Sequence, residues 1–193
     1  MFQDECKEIP PICINEYPAI KRHLGKFYQK LIDRQDKGIT AYNLRSCAYH
    51  AKFDEDKVMW SQMGTVGRFA LVKPGTYCNQ KVFIITGQNL EYLCFILNSS
   101  LVSWLVKLQG VTTNFGQLQW DKYVVSSVPI ADCSMTKRAV VSEKMSSLKV
   151  SDDSPQSQLT KVSDLHQFQD SFDEIVYDIY ELSEAEKEFL RES

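Results

Sequence analysis

The chain has 193 residues, 44% of them hydrophobic and 24% charged, with a formal net charge of −3. That length suits one globular domain with a small appendage, and it is enough to bury a real core. No apolar run approaches the roughly 18 residues needed to span a bilayer, which excludes an ordinary transmembrane helix.

The cysteines Cys6, Cys13, Cys47, Cys78, Cys94 and Cys133 show no C-x-x-C spacing. They read as reduced, partly buried thiols and not as a disulfide framework. The opening MFQDECKEIPP is acidic and lacks an apolar signal region, so the expected location is cytoplasmic. The small net charge hides an asymmetry. Met1–Glu16 carries −3, Tyr17–Ile130 carries +7 and Ala131–Ser193 carries −7. A basic body with an acidic tail suits a binder of polyanions, because Lys and Arg neutralise phosphates. The ordinary reading is that charge varies along any chain.

In chain order, Met1–Glu16 is an irregular lead-in punctuated by Pro10 and Pro11. Ile20, Leu24, Phe27, Tyr28, Leu31 and Ile32 recur at helical spacing. This predicts a helix over Tyr17–Asp33, with Lys21, Arg22, Lys26 and Lys30 elsewhere on its surface. Gly38 breaks the stretch after it. KVMWSQM (Lys57–Met63), RFALV (Arg68–Val72) and KVFIIT (Lys81–Thr86) read as strands of a meander, with GTVG and PGTYCNQ as turns. Asn89–Leu108 is apolar nearly all round, as in a helix buried against a sheet, and Asn98, Ser99 and Ser100 predict a kink or two successive helices. YVVSSVPI (Tyr123–Ile130) reads as a strand with a proline stop. Ala131–Gln158 is rich in Ser, Asp and Lys and reads as a flexible linker or loop. Helical periodicity returns in Leu159–Ser193, where Ser183 and Glu186 form a capping box. The fold expected is α/β of the mixed α+β kind, a short-strand sheet packed with helices and followed by a C-terminal helical extension.

Catalytic signals are poor. There is no G-x-S-x-G and no P-loop, and His23, His50 and His166 make no metal-ligand spacing with the cysteines. Asp170, Asp173, Glu174 and Asp178 lie at helical spacing and read as a solvated helix face. GTVGR is similar to the GXXG loop of KH domains, but its flanking strands favour a hairpin. Binding signals are better. Polar and aromatic residues interleave at Arg34, Lys37, Tyr42, Asn43 and Arg45, and again at Thr113, Asn114, Phe115, Gln117, Gln119, Trp120 and Lys122. Arg and Lys contact guanine edges or phosphates, and Asn and Gln pair with adenine. The same rings could pack on a core and the same amides could cap turns.

Several segments together resemble one family. YPAIKRHLGKFYQKLIDRQDKG carries a proline (Pro18), an HL pair (His23, Leu24), a leucine (Leu31) and an R-x-D-K-G close from Arg34 to Gly38. AYNLRSCAYHAKFDEDKVMW comes next, with Tyr42 at a usual tryptophan. EYLCFILNSSLVSWLV is similar to a yLlaiLNSkl helix, VSSVPI to an l-x-x-lPiP end, and FDEIVYDIYELSEAEKEFL to iD-x-lVYeLYgLteeE. The family is the TaqI-like C-terminal specificity domain of adenine-specific DNA methyltransferases and type IIG restriction–modification enzymes. The likeness covers most of Tyr17–Ile130 and Phe172–Leu190.

The resemblance implies a mixed α/β target-recognition domain that reads double-stranded DNA for a separate or fused methyltransferase or endonuclease. Arg34, Lys37, Tyr42, Arg45, Lys57, Asn114, Gln117, Gln119 and Lys122 are the expected DNA contacts. The N/D/S-P-P-Y/F motif of the catalytic domain is missing, since the Pro-Pro here is IPPI (Ile9–Ile12), and no Gly-rich S-adenosylmethionine loop is visible. So no catalysis is expected in this chain, and S-adenosylmethionine is expected only in a partner or fused domain. The chain reads either as an excised piece or as a stand-alone specificity subunit. The rival expectation is a protein-interaction module that scaffolds a partner without DNA affinity.

Overall fold

In the computed structural model, which describes residues 10–110, 112, 116–132, 134–148, 169–170 and 172–193 (backbone alone for 144–148), the chain is a mixed α+β fold. It divides into two units, Met1–Asp54 and Glu55–Ser193. That division falls inside the stretch Tyr17–Ile130 that reads as one domain from composition.

In the first unit a 3-10 turn (Ile14–Glu16) leads into α1 (Pro18–Gly25) and α2 (Tyr28–Asp33). Pro18 suits the first helical position, where its missing N–H costs nothing. The single expected helix is broken. At the break Phe27 N–H reaches back three residues, to the Leu24 carbonyl at 2.9 Å. Glycine in a helix interior costs about 1 kcal/mol relative to alanine, and Gly25 stands where the helix stops. No residue of α1 or α2 is buried. Phe53, in a second 3-10 turn (His50–Asp54), is the buried residue among those described in this unit.

The second unit is built on a three-stranded antiparallel sheet. Its strands are β1 (Lys57–Ser61), β3 (Phe69–Val72) and β4 (Val82–Thr86), in the order β3-β1-β4. Alternation puts Val58 and Trp60 on one face. Trp60 stands opposite Phe69 on one side and Phe83 on the other. Its ring stacks on both, at 5.5 and 5.3 Å, a cross-strand arrangement that adds about 0.5–1.5 kcal/mol per pair beyond the area buried. α3 (Leu90–Leu97) packs on this face, and Phe95 and Ile96 are fully enclosed. Two short strands, β2 (Met63–Gly64) and β5 (Leu118–Gln119), form a separate antiparallel pair.

α3 ends at Asn98, and α4 (Ser100–Leu108) leaves at 63° to it. Each residue of the break has a job. Asn98 accepts from the Phe69 N–H at 3.0 Å and donates to the Phe69 carbonyl at 2.8 Å. Ser99 caps α4 by accepting from the Val102 N–H. Among the described residues no single helix is long and apolar enough to cross a membrane.

Two further expectations fail. Lys122–Ser126 forms α5 and not a strand. Its valines Val124 and Val125, with Val128 just beyond, are buried at helical spacing, so tertiary packing overrides their strand preference. Part of the expected linker, Met135–Leu148, is helix α6. It packs on α3, with Val141 buried and the Ser142 hydroxyl donating to Glu91 at 2.9 Å. Residues 149–158 lie outside the described residues.

The tail closes the fold. Residues 172–179 form α7, and α8 (Glu184–Glu192) opens with the expected capping box of Ser183 and Glu186. Phe172 packs on Phe95, and Phe189 meets Trp104 edge-on at 5.9 Å. The Tyr180 hydroxyl donates to the Pro129 carbonyl at 2.7 Å.

Candidate nucleic-acid interface

The stretch after α2 folds back on itself. Lys37 and Leu44 form an antiparallel bridge, and the Gly38 N–H donates to the Asn43 carbonyl at 2.9 Å. A Cβ on Gly38 would collide with the Leu44 carbonyl oxygen, so only glycine fits. The Thr40 hydroxyl donates to the Asn43 side chain at 2.6 Å across the turn. Asn43 in turn donates to the Ile12 carbonyl at 3.0 Å, tying the loop to the lead-in.

The expected contacts in this loop separate into different roles. Arg34 is half-buried, and its guanidinium donates to the Asn43 carbonyl at 2.6 Å. It holds the loop closed. The Lys37 ammonium donates to the Ile32 carbonyl at 2.5 Å, at the C-terminal end of α2 where the helix dipole favours a cation. Tyr42 is half-buried against Tyr28, ring centroids 5.6 Å apart. Arg45 pairs with Asp36 at 3.4 Å, but both side chains are about three-quarters exposed (75% and 78%). Such a pair contributes about 0–1 kcal/mol and is easily exchanged for another anion.

Lys57 must be removed from the set. It is 0% exposed, and its ammonium donates to the carbonyls of Glu55 and Lys73 at 2.8 and 3.1 Å. A buried amine satisfied by the backbone cannot reach a phosphate.

In the second unit Gln117 is exposed, Gln119 is half-buried in β5 opposite Met63, and Lys122 is exposed at the first position of α5. Asn114, with Thr113 and Phe115, lies outside the described residues. Trp120 fixes this segment on the sheet. Its N–H donates to the Gln62 carbonyl at 2.8 Å, and its carbonyl accepts from the Trp60 indole at 2.7 Å. Gln62 also donates to Asp121 at 2.8 Å. The GTVG glycines serve this packing. A Cβ on Gly67 would meet the rings of Phe69 and Trp120 at 2.8 Å.

Composition drew attention to the loop, but the free cations lie on the helices before it. Arg22, Lys26 and Lys30 are exposed, and their side chains have no hydrogen bond or ion pair among the described residues. Lys21 beside them is held by Asn15 at 2.8 Å. The three free cations fall in one short stretch of chain, Arg22 in α1, Lys26 at the break and Lys30 in α2, a clustering the sequence already carries. Arg68 is a further exposed cation beside Gly67.

The acidic tail behaves differently from the solvated face its spacing suggested. Asp173 is buried, and burial raises its carboxyl above the ordinary range. Lys187, 9% exposed, pairs with Asp178 at 3.0 Å, Glu184 at 3.2 Å and Glu174 at 3.4 Å, and these carboxylates raise its ammonium. Glu174 also pairs with Arg191, whose guanidinium holds it below the usual carboxylate range. Cys94 is 2% exposed, and burial pushes its thiol up to about 11, so it stays protonated and unreactive. Among the described residues no group of three or more His, Cys, Asp or Glu is placed to hold a metal ion. His166 lies outside them.

No family model matches the chain, and no curated protein matches it.

Proposed function

We propose that this chain is the DNA target-recognition part of a restriction–modification enzyme. It directs a separate or fused adenine methyltransferase or endonuclease to a site on double-stranded DNA, and S-adenosylmethionine belongs to that catalytic partner. The observation that carries the reading is the stretch holding Arg22, Lys26 and Lys30, three exposed cations whose side chains have no compensating partner among the described residues. A chain with a net charge of −3 gains no solubility from leaving them together unpaired. Polyanion binding makes use of exposed free cations, because each phosphate contact releases condensed counterions. Arg45 adds a cation whose exposed ion pair can be traded for a phosphate.

Two further observations support the family resemblance. Two of the segments that carry it, EYLCFILNSSLVSWLV and FDEIVYDIYELSEAEKEFL, meet in space, with Ser100 bonded to Asp173. The family pattern also places glycine where this chain has Glu181, and Glu181 sits at φ 56°, the left-handed conformation that glycine adopts without strain.

Selection from a randomised duplex pool at low salt, followed by gel shift, tests the proposal. Enrichment of one sequence, with affinity falling steeply as salt rises, is the expected result. No enrichment at low salt, together with salt-insensitive binding of a protein partner, would replace this reading with the scaffolding one.

A further inference from the structure

Free cations account for phosphates but leave the exposed rings of the same stretch unexplained. Phe27 and Tyr28 sit at the break between α1 and α2 and are 45% and 46% exposed. Phe27 meets His23 at 5.7 Å, and Tyr28 lies against Tyr42 at 5.6 Å. A single exposed ring needs no explanation. The two ring contacts fall in the same short stretch as Arg22, Lys26 and Lys30, so exposed rings and free cations alternate along it. An apolar protein groove would have to strip water from three charged groups without pairing them. A nucleic acid pairs them. In a B-form duplex the base faces are stacked on one another and only their edges are offered. An unpaired base offers a face, and aromatic rings beside a basic track are what hold single strands.

Resting on the DNA-recognition reading, we propose that the α1–α2 surface holds an unpaired stretch of the DNA strand. Its phosphates lie on Arg22, Lys26 and Lys30, and its bases stack on Phe27 and Tyr28.

Fluorescence anisotropy of the full chain with three labelled oligonucleotides tests this. They are a duplex, the same duplex with a central run of unpaired thymines, and the single strand. The unpaired run should bind about tenfold more tightly than the intact duplex. Phe27→Ala with Tyr28→Ala should erase that difference while leaving duplex affinity within about twofold. Neither ring is buried, so the double variant should keep its fold, which far-UV circular dichroism checks. Equal binding of intact and interrupted duplex, or a preference that survives the double substitution, overturns the inference and leaves duplex recognition standing. Failure to bind any of the three at low salt overturns both. Self-association that the double variant loses, without nucleic-acid binding, also overturns it and makes this face a protein interface.

Discussion

Asp173 accepts two hydrogen bonds from Ser100, one from its backbone N–H at 2.9 Å and one from its hydroxyl at 2.6 Å. Ser100 begins α4, so the carboxylate also faces the positive end of that helix. Gln169 donates to the same carboxylate at 3.2 Å. Burial still dominates and raises the Asp173 carboxyl from its ordinary 3.8.

Asp173→Ala removes both acceptors from the start of α4 and should cost about 1–3 kcal/mol in urea unfolding. Asp173→Asn keeps an acceptor for the N–H and should cost less. The two also differ in pH dependence. A carboxyl raised on folding binds its proton more tightly in the native state, so its stability contribution is greatest below 3.8 and is lost as pH rises through the raised value. The stability of Asp173→Asn relative to the parent should therefore increase between about pH 3 and about pH 7. A flat difference would show that the hydrogen bonds balance burial, and a falling one that they outweigh it.

Glu181 ends α7 in the left-handed conformation. The Leu182 N–H reaches the Tyr177 carbonyl at 3.0 Å and the Glu181 N–H reaches Asp178 at 3.3 Å. That is a Schellman ending, which favours glycine. Glu181→Gly should raise stability by about 1 kcal/mol, visible as a higher melting temperature. An unchanged or lower one would mean that the Glu181 side chain contributes something its exposed position does not suggest.

Arg34 and Arg45 should separate stability from binding. Arg34→Ala leaves the Asn43 carbonyl without its charged donor and should cost about 1–3 kcal/mol, with faster proteolysis of the 34–46 loop. Arg45→Ala breaks an exposed pair and should change stability by less than about 0.5 kcal/mol. It should, however, weaken DNA binding and reduce the salt slope by about 1. Loss of binding in Arg34→Ala with an intact loop would reverse these assignments.

Gly67→Ala places a methyl group against two aromatic rings that cannot both move. It should cost about 1–3 kcal/mol through overpacking at Trp120, reported by a shift in tryptophan emission. If the GTVG turn instead served phosphate approach, the same substitution would weaken DNA binding at unchanged stability.

The strands were legible because the runs KVMWSQM, RFALV and KVFIIT are rich in β-branched and aromatic residues and bounded by turn residues. So was the helix break at Asn98–Ser99, where three polar residues interrupt an apolar run. α6 was not legible. Val141 is the one buried residue among its described side chains, so Ser and Lys dominate its composition. Lys57 was misread because its partners are carbonyls, which leave no mark on side-chain identity. Arg34 likewise meets a carbonyl, which its side-chain identity does not announce. Asp173 lay among acidic neighbours, and only the packing of α7 distinguishes it from them. Arg22, Lys26 and Lys30 were visible in the sequence, but their side chains' lack of partners among the described residues is a fact of three dimensions.

Asn98 has a consequence beyond its own helix. β3 is an outer strand of its sheet, and outer strands carry unpaired backbone groups on which another chain can template. The Asn98 amide occupies both the N–H and the carbonyl of Phe69, standing in for one residue of a neighbouring strand. It therefore blocks intermolecular pairing at that point of the sheet. Replacing it with an apolar residue would expose Phe69 to strand-by-strand recruitment, and aggregation would set in before the fold itself gave way.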